Sequence, residues 1–519
     1  MVTPIAHPSE RQPLSRGFFT VGVWTLISRV LGFARDVVFA ALLGSGPVAE
    51  AFLIAFSLPN MFRRIFAEGA FNAAFVPLYS KKLASGGAHG FANDAFSGLI
   101  AILILLTVIA QLAMPVLVVA MASGFLGDGR FDLTVLLGRI VFPYILFISL
   151  AALLSGMLNA ANRFAASAAA PVLLNAFFIV ALFAADAFGL DAGLTLAWTS
   201  LAAGLAQLLL VWIALHRAGY SLKLRWPRLS PEMRRLAIVA APAALAGGVV
   251  QINLLIGRQV ASMFEGAVAW LSYADRLYQL PLGVVGIAIG VVLLPELSRR
   301  FASEDGTGAR EALSRSAEAA LALSVPAAGA LAVIPLPMIQ VLFERGEFNQ
   351  TDSVATAAAL TLYAAGLPAF VLQKVVQTQF FARHDTRTPF VCALIAMLIN
   401  AAIAGGLAKS LGYLSAALGA TCAGWGLLIL LLLQTNRLGR TARFDRRCLN
   451  TVPKIIAATI VMCLALHLAT SWSYPIVAES AWRYAWLAAI VMAGTVIYGT
   501  VLYLTGALRR SDIHRLIKR

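Results

Sequence analysis

The chain has 519 residues, of which 60% are hydrophobic and only 12% are charged. A soluble protein carries charge at roughly 25% of its positions, because its surface must stay hydrated. The composition therefore excludes a soluble globular protein. Lys and Arg outnumber Asp and Glu by 40 to 24, which gives a net charge of +16. Such an excess of basic residues could indicate nucleic-acid binding or the orientation of a membrane protein, and the positions of the cations distinguish the two.

Apolar segments recur along the whole chain, each close to the roughly 20 residues that a helical membrane span requires. The pattern predicts an all-α polytopic membrane protein with about fourteen transmembrane helices. The first span is too long for a cleavable signal peptide and is expected to be retained. The predicted spans have the approximate bounds 17–44, 48–78, 92–121, 133–160, 165–186, 192–216, 234–262, 267–297, 312–336, 353–382, 388–408, 412–434, 450–470 and 484–507.

Basic residues are unevenly divided between the two sides of this topology. The loops on the N-terminal side are rich in them, whereas the opposite loops hold only a few cations, namely Arg130, Arg345, Lys409 and Arg483. Because short Lys- and Arg-rich loops stay in the cytoplasm, we expect both termini to be cytoplasmic. This topology accounts for most of the net charge without a nucleic-acid partner. The cluster Lys223, Arg225, Trp226 and Arg228 also suits anionic lipid headgroups.

A weak internal repeat links the second and eighth predicted spans. Both end in a Pro-x-x-Ser-basic-basic pattern, at Pro77–Lys82 and at Pro295–Arg300. Repeats of this kind predict two six-helix lobes related by a pseudo-twofold axis, followed by two C-terminal helices. The predicted organisation is a cytoplasmic N-terminal segment (1–16), an N-lobe (17–216), a basic amphipathic cytoplasmic linker (217–233), a C-lobe (234–434), a second basic cytoplasmic linker (435–449), the last two spans (450–507) and a basic cytoplasmic tail (508–519).

Several arginines lie deep inside predicted spans. Arg29 lies about 18 Å from the cytoplasmic start of the first span, and Arg276 about 14 Å from the outer end of the eighth, at 1.5 Å per helical residue. Intramembrane charges are costly and usually face protein or water, where they serve function. We therefore expect Arg29, Arg63 and Arg276 to face a central cavity. The alternative is that each arginine belongs to an ion pair that only fixes helix packing.

The first two spans also carry charges that could pair with one another. Arg35 has Asp36 beside it, but adjacent helical residues point in different directions, so we expect Glu50 to be the partner of Arg35. In the second span, Arg64 and Glu68 have the i, i+4 spacing of a helical ion pair.

That pairing would leave Arg63 available to the cavity. We expect Glu50, Glu68, Arg64, Asp36 and Asp275, which adjoins Arg276, to support the cavity arginines.

A cluster of cavity arginines favours an anionic, phosphate-bearing substrate, because the planar guanidinium binds oxyanions bidentately and stays ionised. A drug exporter would be expected to show acidic cavity residues instead. A membrane scaffold protein is a further alternative, and it would need no water access to the arginines. The sequence has no Walker-type loop, nucleophile motif or metal-ligand spacing, and its four cysteines are scattered. An enzyme, a metal site and a cofactor are therefore not expected.

Four motifs together resemble the MurJ (MviN) lipid II flippases, and the resemblance covers nearly the whole chain. They are Ser28–Asp36, Leu58–Phe71 with Phe75–Pro77, Tyr273–Leu277 and Asp385–Pro389. The resemblance implies a member of the multidrug/oligosaccharidyl-lipid/polysaccharide exporter superfamily in the inner membrane. Such a protein serves peptidoglycan biosynthesis and cell shape by moving the undecaprenyl-diphosphate-linked precursor, lipid II, to the periplasmic leaflet by alternating access.

The same resemblance assigns substrate-binding roles in the cavity to Arg29, Arg35, Arg63 and Arg276. It implies that the last two spans form a lipid-facing groove for the polyprenyl tail. It also implies membrane lipids and cell-wall synthesis or division proteins as partners.

The chain departs from its relatives at three places. Glu50 stands where relatives have Asp, Ala267–Trp270 lacks the serines that relatives can have, and the seventh and eleventh spans lack the acidic residues of the sodium site of some relatives. The membrane potential is therefore the expected energy source.

Overall fold

The computed structural model describes residues 14–64, 72–288, 293–439 and 442–507. Within these ranges the backbone is organised as α-helices joined by turns and loops, the longest of the loops being 218–230, and its one extended pairing is the isolated bridge between Arg345 and Phe348. The predicted all-α class is confirmed. By its internal contacts the chain divides into an N-terminal unit, 1–251, and a C-terminal unit, 252–519.

The helices are listed here in chain order. The N-terminal unit contains α1 (Leu14–Leu43), α2 (Pro47–Arg63), α3 (Asn72–Ser85), α4 (Ala88–Leu112), α5 (Met114–Ala122), α6 (Gly129–Val141), α7 (Tyr144–Ala160), α8 (Ala165–Phe188), α9 (Ala192–Arg217) and most of α10 (Pro231–Ser262). The C-terminal unit contains α11 (Ala267–Ala288), α12 (Leu294–Ala302), α13 (Gly306–Val333), α14 (Pro335–Phe343), α15 (Gln350–Phe381), α16 (Arg387–Gly406), α17 (Ala408–Leu411), α18 (Leu414–Thr435), α19 (Arg446–Val477) and α20 (Arg483–Leu504).

Ten helical segments of the described chain are long and apolar enough to cross a membrane, counting α6 and α7 as one segment. Each of them coincides with one of the predicted spans, so the multi-pass membrane architecture is confirmed. The other four predicted spans, 17–44, 48–78, 234–262 and 267–297, are also helical where they are described. The total of fourteen and the relation between two lobes stay predictions.

Prolines set several of the helix boundaries. The third predicted span divides at Ala113, and α5 begins with Pro115 in its first turn. Likewise α13 ends before Pro335, which opens α14. Proline is accepted in the first turn of a helix because its missing N–H needs no partner there, whereas in the interior it interrupts the hydrogen-bond ladder. Pro143 separates α6 from α7 in the same way.

Aromatic packing holds the N-terminal unit together. The rings of Phe52 and Phe56 on α2 are 5.8 and 5.3 Å from that of Phe178 on α8, and Phe56 is 5.7 Å from Tyr144 on α7. The Tyr144 hydroxyl is 3.3 Å from the side-chain oxygen of Gln207 on α9. These contacts join α2, α7, α8 and α9 into one core, against which α1 packs through α8.

In the C-terminal unit, α19 and α20 pack on α13 through a cluster of buried side chains, Leu321, Ile455, Met462, Leu466, Ile490, Tyr498 and Leu502. Gly329 on α13 allows a close approach to α19. A Cβ at this position would lie 2.6 Å from the Sγ of Cys463 and 2.8 Å from a methyl carbon of Thr459. Small residues at helix interfaces let the backbones approach in this way.

The two motifs of the predicted repeat both lie in helices but have different partners. Lys82, at the end of α3, forms an ion pair of 2.5 Å with Glu232. Arg300, at the matching position of α12, pairs with Glu296 at 2.6 Å and with Asp305 at 3.0 Å. The shared sequence pattern therefore marks the same local end of a helix, and its cations meet different neighbours in each unit.

Candidate functional site

Arg29 lies at an exposed position of α1, between Leu26 and Val30, which are exposed as well. It forms no hydrogen bond or ion pair within the described part of the chain. On the packed side of the same helix, the Nδ2 of Asn175 on α8 donates a hydrogen bond of 3.0 Å to the carbonyl of Ser28. The helix is thus held through one face, and the guanidinium of Arg29 stays available to a ligand.

Arg35 lies two turns further along α1 and forms an ion pair with Asp36. Its Nε and Nη2 are 3.0 and 2.6 Å from Oδ1 of Asp36, and both side chains are 13% exposed. The guanidinium also lies over the ring of Phe178, at 5.8 Å. The expectation that Arg35 pairs with Glu50 was wrong. The argument from helix geometry failed because the arginine side chain is long enough to reach the carboxylate of the adjacent residue.

Glu50, in the first turn of α2, pairs with Arg130 instead. Its carboxylate is completely buried, and its Oε2 is 2.8 Å from Nη1 of Arg130. Arg130 is also 2.6 Å from Asp128 and lies over the ring of Phe125 at 4.4 Å. The sequence indicated Arg130 only as a cation of an outer loop. Its role was missed because the two partners are 80 positions apart and no local pattern links them.

Arg63 and Arg64 lie at the end of α2, where Arg63 is partly exposed and Arg64 exposed. Next to them, the ring of Phe62 packs edge-on against Phe142 at 5.7 Å, which fixes this end of α2 on the α6–α7 turn. Glu68 lies outside the described residues, and the predicted pair between Arg64 and Glu68 with it.

Arg276 lies on α11, in the C-terminal unit. Its neighbours Tyr273, Ala274 and Leu277 are buried, whereas Arg276 itself is exposed, so its side chain leaves the core of this unit. The preceding Asp275 accepts a hydrogen bond from the side-chain amide of Gln279, one turn later on the same helix. The buried face of α11 thus leaves Arg276 exposed, next to the carboxylate of Asp275.

The Asp385–Pro389 motif forms the turn between α15 and α16. Asp385 Oδ1 accepts a hydrogen bond of 3.0 Å from the backbone N–H of Thr388, and this bond holds the pKa of Asp385 below its usual value. His384 has a positive φ of 61°, which allows the tight reversal. This motif therefore has a structural role, the start of α16, in addition to its value as a family marker.

Three of the predicted cavity arginines, Arg29, Arg35 and Arg63, belong to the N-terminal unit, and Arg276 belongs to the C-terminal unit. The prediction that all four face one cavity stays a prediction. Among the described residues, no group of three or more His, Cys, Asp or Glu side chains has an arrangement that could hold a metal ion.

Comparisons with known proteins agree with the motifs. The model of the family "Lipid II flippase MurJ" matches residues 39–490. A "Probable lipid II flippase MurJ" of Rhizobium meliloti (strain 1021) is 44% identical over 517 residues, which cover 98% of this chain and 96% of that protein. A "Lipid II flippase MurJ" of Burkholderia cenocepacia is 36% identical over 397 residues, covering 75% of this chain and 77% of that protein.

The fold agrees as well. The solved structure "Lipid II flippase MurJ, inward closed conformation" superposes with a TM-score of 0.79 at 23% identity, covering 96% of this chain and 100% of that one. An inward-facing multidrug transporter of the MATE family has a TM-score of 0.68 at 13% identity, covering 82% of this chain and 98% of that one. At these identities the two structures show a shared fold alone. Taken with the family match and the full-length relatives, the resemblance is confirmed: the chain belongs to the lipid II flippase MurJ family.

Proposed function

We propose that this chain is a transporter, not an enzyme, that moves lipid II from the cytoplasmic to the periplasmic leaflet of the inner membrane by alternating access. The observation that carries the proposal is the family match, which extends over nearly the whole chain in both sequence and fold. Lipid II bears a diphosphate, so a transporter for it must hold a multiply charged anion while the polyprenyl tail stays in lipid.

The charged residues of α1, α2 and α11 suit that anion. We assign headgroup binding to Arg29, Arg35, Arg63 and Arg276, because guanidinium groups bind phosphate oxygens bidentately without losing their charge. Arg29 is the sharpest candidate, since it is exposed and makes no hydrogen bond or ion pair in the described chain. Arg35 already has Asp36 as its counter-ion, and a phosphate would have to compete with that carboxylate.

The supporting residues act through these cations. Asp36 holds the guanidinium of Arg35 in one orientation, and Asp275 stands beside Arg276 on α11. Glu50 fixes the start of α2 through Arg130, which places it one step away from the ligand. Arg64 and Glu68 complete the proposed set at the other end of α2.

The topology and the lobes belong to the same proposal. The basic loops favour cytoplasmic termini, and we propose an N-lobe at 17–216 and a C-lobe at 234–434. The last two spans, within 450–507, are proposed to hold the polyprenyl tail. Their outward faces support this role, because α19 exposes a row of aliphatic side chains at helical spacing, Ile456, Ile460, Leu464 and Leu468. We further propose that enzymes of cell-wall synthesis or division take up the translocated product.

The test is a translocation assay with the purified chain in liposomes that contain lipid II, measured with and without an imposed membrane potential. Arg29→Ala should lower the translocation rate by about 10- to 100-fold, the worth of a charge-assisted hydrogen bond. Arg29→Lys should recover part of it, because the charge remains and the bidentate fork is lost. The matched control is Arg139→Ala, an exposed arginine of α6 that has no assigned role.

Equal rates for Arg29→Ala and the wild type would refute headgroup binding by Arg29. If no preparation, the wild type included, translocates lipid II, the proposed function is refuted. The alternative substrates, another lipid-linked oligosaccharide or a drug, are not favoured by the family match. Competition settles them directly, since an excess of the preferred substrate should slow lipid II movement. In cells depleted of their own flippase, full growth on both Arg29→Ala and Arg276→Ala would count against the binding assignment.

A further inference from the structure

The loop between α9 and α10, residues 218–230, is anchored to α4 through its backbone. The N–H of Lys223 donates a hydrogen bond of 2.8 Å to Oδ1 of Asn93, and the N–H of Arg225 donates one of 2.9 Å to Oγ of Ser97. Both acceptor residues are buried. Two buried polar side chains, one turn apart on α4, thus hold two alternate backbone amides of this loop, those of Lys223 and Arg225, against the helix.

The side chains on the free side of the loop combine cations with large apolar groups. Trp226 and Leu229 are 85% exposed and Leu224 is 68% exposed, while Lys223, Arg225 and Arg228 are exposed between them. These three cations form no side-chain hydrogen bond or ion pair among the residues that the structure describes. The carboxylate that follows the loop, Glu232, is paired with Lys82 and does not neutralise them.

The position of the loop along α4 places it at the membrane surface. The outward aliphatic band of α4 starts at Ile102 and includes Ile104, Leu105, Val108 and Ile109. Ser97 lies just over one turn before that band. From Ile102 to Ala122, the end of α5, the helical chain measures roughly 31 Å at 1.5 Å per residue, about the thickness of the hydrocarbon core. The first turns of α4, and the loop attached to them, therefore lie at the level of the lipid headgroups.

The requirements of topology alone do not explain this arrangement. Cations in a loop suffice to keep it on one side of the membrane, and they need neither an exposed tryptophan nor buried anchors for the backbone. Tryptophan prefers the boundary between headgroups and acyl chains, and leucines beside it gain by insertion into the same zone.

We propose that the α9–α10 loop is a binding site for anionic phospholipids. In this site Lys223, Arg225 and Arg228 contact the headgroups, and Leu224, Trp226 and Leu229 insert beside the glycerol ends of the chains. The site is independent of the transported substrate, because it lies on the lipid-facing perimeter of the N-terminal unit. Its occupant is a lipid of the surrounding leaflet, selected by charge. Each cation is expected to raise the preference for an anionic lipid by about fivefold.

The experiment uses the full-length chain in bilayers of phosphatidylcholine with increasing phosphatidylglycerol. One of the two lipids is brominated near the glycerol end, so that it quenches tryptophan fluorescence on contact. The signal of Trp226 is taken as the difference between the wild type and Trp226→Phe. We expect brominated phosphatidylglycerol to quench Trp226 at a much lower mole fraction than brominated phosphatidylcholine does.

The triple variant K223S/R225S/R228S should lose most of that preference, a change of up to about 100-fold from three independent cations, and should keep quenching by phosphatidylcholine. The matched control is R437S/R443S/R446S, which removes three other exposed cations and should keep the preference. Arg225→Ser alone, with an expected fivefold loss, replaces the triple variant if the latter does not fold.

Three results would overturn the proposal: equal quenching of the wild type by the two lipids, quenching of Trp226 by neither of them, or an equal loss in the matched control.

Discussion

The ion pair between Glu50 and Arg130 makes a sharp prediction about stability. Arg130→Ala removes the cation from a carboxylate that is 0% exposed, at a contact of 2.8 Å. Loss of one member of a buried ion pair costs about 3 to 5 kcal/mol, because the Glu50 carboxylate then loses the close cation that offsets its desolvation. The stacking of the guanidinium on Phe125, 4.4 Å away, is lost in the same variant.

Substitution of the other partner, Glu50, should cost much less stability. In Glu50→Gln the amide oxygen still accepts from Arg130, and Arg130 keeps its second partner Asp128, 2.6 Å away. The expected cost is about 1 kcal/mol, the worth of an ordinary hydrogen bond. Asp128→Asn should cost less than about 1 kcal/mol, because Asp128 is 41% exposed and solvent screens its charge. The double variant E50Q/R130A should be more stable than R130A by about 2 kcal/mol, since it buries no uncompensated charge.

The assay is reversible unfolding of the purified chain in mixed detergent micelles, followed by far-UV circular dichroism. The free energy of unfolding is compared across the four variants and the wild type. Arg139→Ala, an exposed position of α6, is the control and should match the wild type. The reasoning fails if Arg130→Ala costs no more than Glu50→Gln, or if the double variant is less stable than Arg130→Ala. Either result would mean that Arg130 is not the main group that compensates the charge of Glu50.

Three further predictions concern other parts of the chain. Gly329→Ala should lower the free energy of unfolding by about 1 to 3 kcal/mol through overpacking against Cys463. The double variant Gly329→Ala with Cys463→Ala should recover part of this loss in the same unfolding assay. Equal stability of Gly329→Ala and the wild type would contradict the close approach. Asp385→Ala should lower the free energy of unfolding by about 1 kcal/mol, because Asp385 no longer accepts the hydrogen bond from the N–H of Thr388 at the start of α16. Asp385→Asn should cost less. The pKa of Asp385 is lowered in the folded state. Its contribution to the free energy of unfolding is therefore present above its unfolded pKa of about 3.9 and is lost as the pH falls through the lower folded value. A stability difference between the wild type and Asp385→Asn that stays constant between pH 6 and pH 3 would contradict this.

Much of the fold follows from the sequence, because a membrane helix is specified by a local property. Apolar segments of the required length predicted every helix that now qualifies as a span, with bounds that differ by up to nine residues, as at the end of the third span, which was predicted at 121 and lies at Leu112. Where the bounds differ, a local cap or proline decides. The fourth span begins at Gly129 because the Asp128 side chain accepts from the N–H of Arg130, and the thirteenth begins at Arg446 because Asp445 caps it in the same way.

The ion pairs could not be predicted with the same success, because they depend on which helices are neighbours. Arg35 and Glu50 were expected to pair from their closeness in sequence, yet α2 packs against α6, which brings Arg130 to Glu50. Nothing local to Arg130 marks it as a buried partner. By contrast, the depth of Arg29 in its span needed only a residue count, so its selection as a candidate was possible from the sequence.

The hydrogen bond from Asn175 to the carbonyl of Ser28 restricts how far α1 can slide along its axis relative to α8. Gly32 lies beside this hydrogen bond, and a Cβ there would be 3.4 Å from the Asn175 amide nitrogen, an ordinary van der Waals contact. A slide of α1 by a single residue, about 1.5 Å along its axis, would pull the carbonyl out of reach. This hydrogen bond therefore resists a slide of α1 along α8, and with it a change in the height of Arg29. We expect α1 and α8 to move as a pair when this guanidinium moves.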